Sequence, residues 1–277
     1  MTTEEVDPIL IILSNLILVA GSLCLIHHLF LRKKDYSESE QNKLKPWNLK
    51  LLDHGIVLTF VYLFSFIATA LAIESYKLIK QVEEFPKESG FILVFPMSIA
   101  MLLGLYGFYR YYDIKDDVPI NPEKHGALSL FGKGLYFLLA VVPLMIVSSH
   151  AWLFILNAFS IPIKPQDLVE QVQAMSFSWT LILLTLIAVV VVPLTEELLF
   201  RAFIYRSLKS YVPKTAATLI SSLFFALMHY NVLSFVPLFI LGFWLCRSYE
   251  DSGNIWVPIT LHGLFNGNTI LVLTLTR

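Results

Sequence analysis

Polar residues punctuate this chain at long intervals. Between them run eight mostly apolar stretches, Pro8–Leu31, Leu52–Ile79, Phe91–Tyr109, Gly134–Phe159, Phe177–Leu208, Pro213–Tyr230, Ser234–Tyr249 and Ile255–Thr276. A helix of about 20 such residues crosses a bilayer, so the pattern predicts an all-α polytopic membrane protein of about eight transmembrane helices. The fifth stretch is long and carries Pro193 inside it, and the seventh is short. No basic residue precedes the first stretch and no small-residue cleavage site follows it, so it reads as an anchor and not a removed signal peptide. Asp113–Lys133, with Asp116, Asp117, Pro119 and Pro122, reads as a solvated connector.

Composition agrees. Of 277 residues 56% are hydrophobic and 15% charged, against about 25% charged in soluble domains. A net charge of −1 gives no footprint for nucleic acid. Cys24 and Cys246 lie in apolar runs with neither metal-type spacing nor a disulfide framework. Arg32, Lys33, Lys34, Lys43, Lys45, Lys50, Arg110, Lys115, Lys124, Lys133, Arg206, Lys209, Lys214 and Arg247 fall at one set of helix ends, against only Lys77, Lys80, Lys87, Lys164 and Arg277 at the other. The basic side is expected to be cytoplasmic, which puts both termini outside.

In the first half the polar residues Glu74, His27, His28, Asp53, His54 and His150 read as interfacial or packing residues, and Tyr106–Tyr112 as an interfacial aromatic belt. The second half is different. Pro193-Leu194-Thr195-Glu196-Glu197-Leu198-Leu199-Phe200-Arg201 places two acids and a base within an apolar run, where an ionisable side chain costs several kcal/mol and marks a working site. Pro193 should bend the helix or free a carbonyl just before the acids. Glu197 and Arg201 are i,i+4 neighbours and should pair, while Glu196 points about 100° away and is left to face a cavity.

Depth brings in two further segments. Glu196 lies 16 residues before Val212 and His229 lies 16 after Pro213, so both sit roughly 24 Å from the intervening turn at the α-helical rise. His262 and Asn266 lie roughly 15 and 21 Å from the next turn, at Asp251-Ser252-Gly253, and share a helix face. One acid, two imidazoles and a carboxamide at one depth suit hydrolysis. Glu196 and His229 could deprotonate a water as it attacks, with His262 and Asn266 donating to the oxyanion. Phe225, one turn before His229, either walls the site or is a plain core aromatic. The chain contains no His-Glu-x-x-His and no Gly-x-Ser-x-Gly. Glu196, His229 and His262 would nonetheless make a His₂Glu zinc set, so a metalloprotease stands as the alternative to a metal-free site without a cofactor.

Together Thr195-Glu196-Glu197-Leu198-Leu199-Phe200-Arg201, Phe225-x-x-x-His229 and His262-x-x-x-Asn266 resemble the three-motif signature of the CAAX protease and bacteriocin-processing family of glutamate-type intramembrane endopeptidases, which includes the type II CAAX prenyl proteases. The resemblance covers about Phe177 to Leu275, and it divides the chain into 1–176, four N-terminal helices, and 177–277, a catalytic four-helix region. It implies Glu196 as catalytic carboxylate, His229 as its partner, His262 and Asn266 as oxyanion donors, and Glu197 and Arg201 in support. Ala202 stands where bacterial relatives often have Gly; the phrasing of Phe225–Asn231 and Gly242–Asn266 is similar to the bacterial branch, which implies a bacterial inner membrane. The implied partners are membrane lipid and a membrane-associated, lipidated or CAAX-like peptide substrate. Some members are tied to immunity, sensing or scaffolding without proteolysis, and that is the second reading.

Overall fold

The computed structural model describes residues 8–31, 44–47, 50–85, 93–112 and 126–276, the side chains of 8–13, 51, 167 and 168 excepted. Helices form where the apolar stretches predict them: α1 (Pro8–Ile26, continued by a π-helical turn His27–Leu31), α2 (Leu51–Lys80), α3 (Val94–Tyr111), α4 (Ala127–Ala158), α6 (Trp179–Leu208), α7 (Lys214–Leu227), α8 (Phe235–Ser252) and α9 (Trp256–Leu275). A short helix, α5 (Asp167–Ala174), lies between α4 and α6. No strand occurs among the described residues. Ser14–Leu31, Leu52–Lys80, Ala127–Ala158 and Trp179–Leu208 are long and apolar enough to cross a membrane. The chain is an integral membrane protein. The remaining helices are shorter or more polar: α7 has 14 residues, α8 carries Arg247, Glu250 and Asp251, and α9 carries His262, Asn266 and Asn268.

Two boundaries and one additional helix, α5, depart from the expectation. α4 starts at Ala127, so the last part of the expected connector Asp113–Lys133 is helical, anchored by buried Leu130; residues 113–125 lie outside the described part. α7 ends at Leu227, leaving His229 in the turn beyond it, where Tyr230 takes a left-handed φ of 48°. α5 is amphipathic and packs buried Val172 against Leu181, Leu184, Ala188 and Ile270. Arg32, Lys33, Lys34, Lys43, Lys87, Lys115, Lys124 and Arg277, on which the charge asymmetry partly rests, also fall outside the described residues.

α4 is the central post. It packs on α1, α8 and α9, while α2 pairs with α3, and α7 with α8. The largest core cluster runs from Val57 and Val61 of α2 through Leu105 and Phe108 of α3 to Phe200, Phe203 and Phe225. At the end where α1, α6 and α8 finish, Leu44–Trp47 lies as a strap across α6. Arg206 donates from Nε and Nη2 to the Lys45 carbonyl at 3.0 and 2.9 Å, and its guanidinium stacks 4.9 Å over the Trp47 ring. Lys209 Nζ donates to the Leu44 carbonyl at 2.7 Å and also pairs with Glu250. The strap therefore ties the α1–α2 connection to the helix that bears the two glutamates.

Candidate active site

α6 is not a regular helix. Two π-helical segments, Ile187–Val191 and Leu198–Tyr205, flank a short α-helical piece, Val192–Glu197, that holds both acids. Wide turns of this kind cluster at functional sites, and here their origin is legible. The Val192 N–H reaches back five residues to the Ile187 carbonyl. In the same register Pro193 would bond the Ala188 carbonyl, but proline has no N–H to give. Asn266 Nδ2, from α9, donates to that carbonyl at 2.8 Å. Val189, next along, lends its carbonyl to the docking: a Cβ on Gly263 would stand 2.5 Å from the Val189 oxygen, so only glycine lets α9 approach α6 this closely. In the second π segment Ser221 of α7 donates to the Phe200 carbonyl at 3.1 Å. Irregular backbone at membrane depth is tolerated where neighbouring helices satisfy it, and α7 and α9 do so here.

The charges form a chain. Arg201 Nη1 donates to Glu197 Oε1 at 2.9 Å, with both side chains 0% exposed. Arg201 Nη2 donates to the Gly242 carbonyl of α8 at 3.3 Å, and its guanidinium lies 4.4 Å from the Phe225 ring centroid. The same Glu197 Oε1 meets His262 Nδ1 at 2.9 Å. A carboxylate only accepts, so Nδ1 carries the proton and His262 Nε2 turns to the other acid, 3.8 Å from Glu196 Oε2. His262 is 3% exposed and Glu196 24%. Glu196 therefore has an open side and one buried oxygen, Oε2, with no hydrogen-bond partner.

His229 reaches the site from past the end of α7. Its Nδ1 lies 2.7 Å from the Phe225 carbonyl, which can only accept, so Nε2 keeps its lone pair. Its ring meets Phe225 at 4.8 Å, and Phe225 in turn meets His262 at 5.6 Å. Phe225 is fully buried and separates the two imidazoles; it is at once a core aromatic and the wall between them. The turn holding His229 is pinned by Asn231, which donates to the Lys164 carbonyl and accepts from the Ser234 N–H, both at 2.9 Å. Trp152 Nε1 donates to the Val232 carbonyl at 2.8 Å.

All seven expected residues thus belong to one connected neighbourhood; Glu197 and Arg201 pair as expected, and the other contacts differ from those expected. Glu196 and His262 approach each other, whereas His229 stands at Phe225 with no hydrogen bond or ion pair to Glu196. Asn266 spends one amide hydrogen on Ala188, and Glu197 serves His262 as well as Arg201. The spacing of Ala188 and Pro193 was the sequence signal for the Asn266 contact. A zinc site would need Glu196, His229 and His262 to converge, and no three His, Cys, Asp or Glu side chains among the described residues are grouped to hold a metal ion. The side chains do not fit that ligand set as they stand. Glu74 pairs with Lys77 at 3.0 Å and His150 with its own helix, away from this neighbourhood.

Comparison with known proteins falls on this region. Residues 178–267 match the family model described as type II CAAX prenyl endopeptidase, Rce1-like. UPF0177 protein YxdF of Lactococcus lactis subsp. lactis (strain IL1403) is 38% identical over 88 residues, 30% of this chain and 48% of that protein. YdiL of Bacillus subtilis (strain 168), named as a candidate membrane peptidase, is 29% identical over 90 residues, 32% of this chain and 37% of that one. The matched segments cover less than half the length of either relative. No solved structure matches the chain.

Proposed function

From the match of residues 178–267 to the Rce1-like type II CAAX prenyl endopeptidase family model, we propose that this chain is a metal-free intramembrane endopeptidase. Its substrate is a membrane-associated peptide, lipidated or CAAX-like, and Glu196 activates the water that cuts it. The observation that carries this reading is Glu196 itself: an acid in a spanning helix, one oxygen open, the other buried without a partner 3.8 Å from a histidine. In the first step water oxygen attacks the peptide carbonyl carbon while its proton passes to Glu196. His229 Nε2, with its lone pair free, assists from across a water. The carbonyl oxygen becomes an oxyanion, met by the second amide hydrogen of Asn266 and by His262 Nε2 when that ring is cationic. Collapse breaks the C–N bond, and the proton held on Glu196 goes to the leaving amine. Glu197 holds His262 in one tautomer and orientation, and Arg201 balances Glu197. Such placed donors supply their stabilisation without reorganising during the reaction.

On this reading the enzyme lies in a bacterial inner membrane with its basic helix ends cytoplasmic and both termini outside. The protein in lipid nanodiscs should cut an internally quenched farnesylated CAAX peptide into two fragments identified by mass, and Glu196→Ala and His229→Ala should both abolish cleavage. Folded variants that cleave like wild type would overturn the roles given to Glu196 and His229, and variants that no longer cleave but still support the biological effect of the protein in cells would favour a non-proteolytic role. Inhibition by chelator with recovery on zinc would favour the metalloenzyme.

A further inference from the structure

Resting on the endopeptidase reading, we infer that Tyr62 of α2, outside the family match, completes the same site as a hydrogen-bond donor to the carbonyl under attack. Three observations lead there. The first is register. The His54 ring of α2 lies 5.7 Å from the rings of both Phe203 and Tyr211, which levels the start of α2 with the end of α6. Tyr62 lies eight residues further along α2 and Glu196 seven residues back along α6, so both stand roughly 10–12 Å from that contact at the helical rise. His54, Leu58 and Tyr62 follow one another at i, i+4 and i+8 along one side of α2, and Leu58 and Tyr62 pack on the cluster that contains Phe200 and Phe225.

Electrostatic reach is the second observation. Tyr62 lies within electrostatic reach of both Glu196 and Tyr230, the latter in the turn that carries His229. Its hydroxyl makes no hydrogen bond to Glu196 or to any other described residue. The third is donor supply. Asn266 has already given one hydrogen to Ala188, and His262 Nδ1 is held by Glu197, so its Nε2 can donate only as a cation. A half-buried phenol offers a neutral O–H whose donation does not depend on the charge of the ring opposite. On this inference water and the scissile carbonyl would meet between Tyr62, Glu196 and His262.

The test is Tyr62→Phe in the full-length protein in nanodiscs, with Glu196→Gln as control. Removing one oxyanion donor costs roughly 10²-fold in kcat in enzymes of this kind, so a fall in kcat of that order is expected, with KM and melting temperature unchanged. A peptide phosphonate, tetrahedral at phosphorus, should lose affinity by a like factor, while an uncleaved product peptide should not. A merely structural tyrosine would move the melting temperature, or both ligands together, and that result overturns the inference. So does a Tyr62→Phe enzyme as fast as an active wild type, which leaves the endopeptidase reading intact. A wild type without activity removes that reading and the role of Tyr62 with it.

Discussion

Replacing Arg201 by Met isolates the charge that holds the site together. Methionine keeps most of the side-chain volume, so what is lost is the 2.9 Å pair with Glu197, the 3.3 Å bond to the Gly242 carbonyl and the 4.4 Å stacking on Phe225. Both members of the pair are wholly buried, and breaking such a pair by removing one partner costs about 3–5 kcal/mol, because the other charge is stranded. Glu197 keeps one partner, His262 Nδ1, which favours the lower end, about 3 kcal/mol. By the size scaling of unfolding entropy this lowers the melting temperature by roughly 6–12 °C. The double variant Glu197→Gln/Arg201→Met leaves no stranded charge and should recover most of the loss, as buried pairs replaced by neutral groups commonly do. Thermal unfolding in one detergent, followed by tryptophan fluorescence, measures both. An Arg201→Met protein within about 2 °C of wild type, or a double variant as unstable as the single one, would refute the reasoning.

Asn266→Ala strands the Ala188 carbonyl and should cost about 1–3 kcal/mol of stability; in a Pro193→Ala background, where residue 193 regains an N–H for that carbonyl, the added cost should shrink, as a double-mutant cycle of melting temperatures would reveal. Gly263→Ala drives a methyl group to 2.5 Å from the Val189 oxygen, and the forced separation of α6 and α9 should cost about 1–3 kcal/mol together with most of the activity, read as folded yield and turnover. Trp47→Ala removes the face under Arg206 and a buried ring packed on Phe108, Tyr109 and Phe203, and should lower stability by about 3–5 kcal/mol while leaving KM unchanged.

The apolar runs made eight of the described helices legible, four of them long and apolar enough to cross a membrane, since a spanning segment demands nearly continuous apolar sequence. α5 was not legible, because an eight-residue amphipathic helix owes its form to packing Val172 into its neighbours more than to any local signal. Nor did the apolar composition of Phe224–Met228 reveal that α7 stops at Leu227; that end depends on the left-handed turn at Tyr230. At the site, the Glu197–Arg201 pair followed from local spacing. Depth counting brought Glu196, His229, His262 and Asn266 to one level but carries no information on rotation about the helix axes. The π segments around the two acids change that rotation, which is why His262 reaches both glutamates and why Asn266 turns to Ala188.

The most direct measurement is the turnover of Glu196→Gln. The amide keeps the shape of the carboxylate but cannot take a proton from water. In nanodiscs, with melting temperature and KM matched to wild type, its kcat on the farnesylated peptide should fall by at least roughly 10²-fold. A folded Glu196→Gln protein that cleaves at the wild-type rate would contradict the account at its centre.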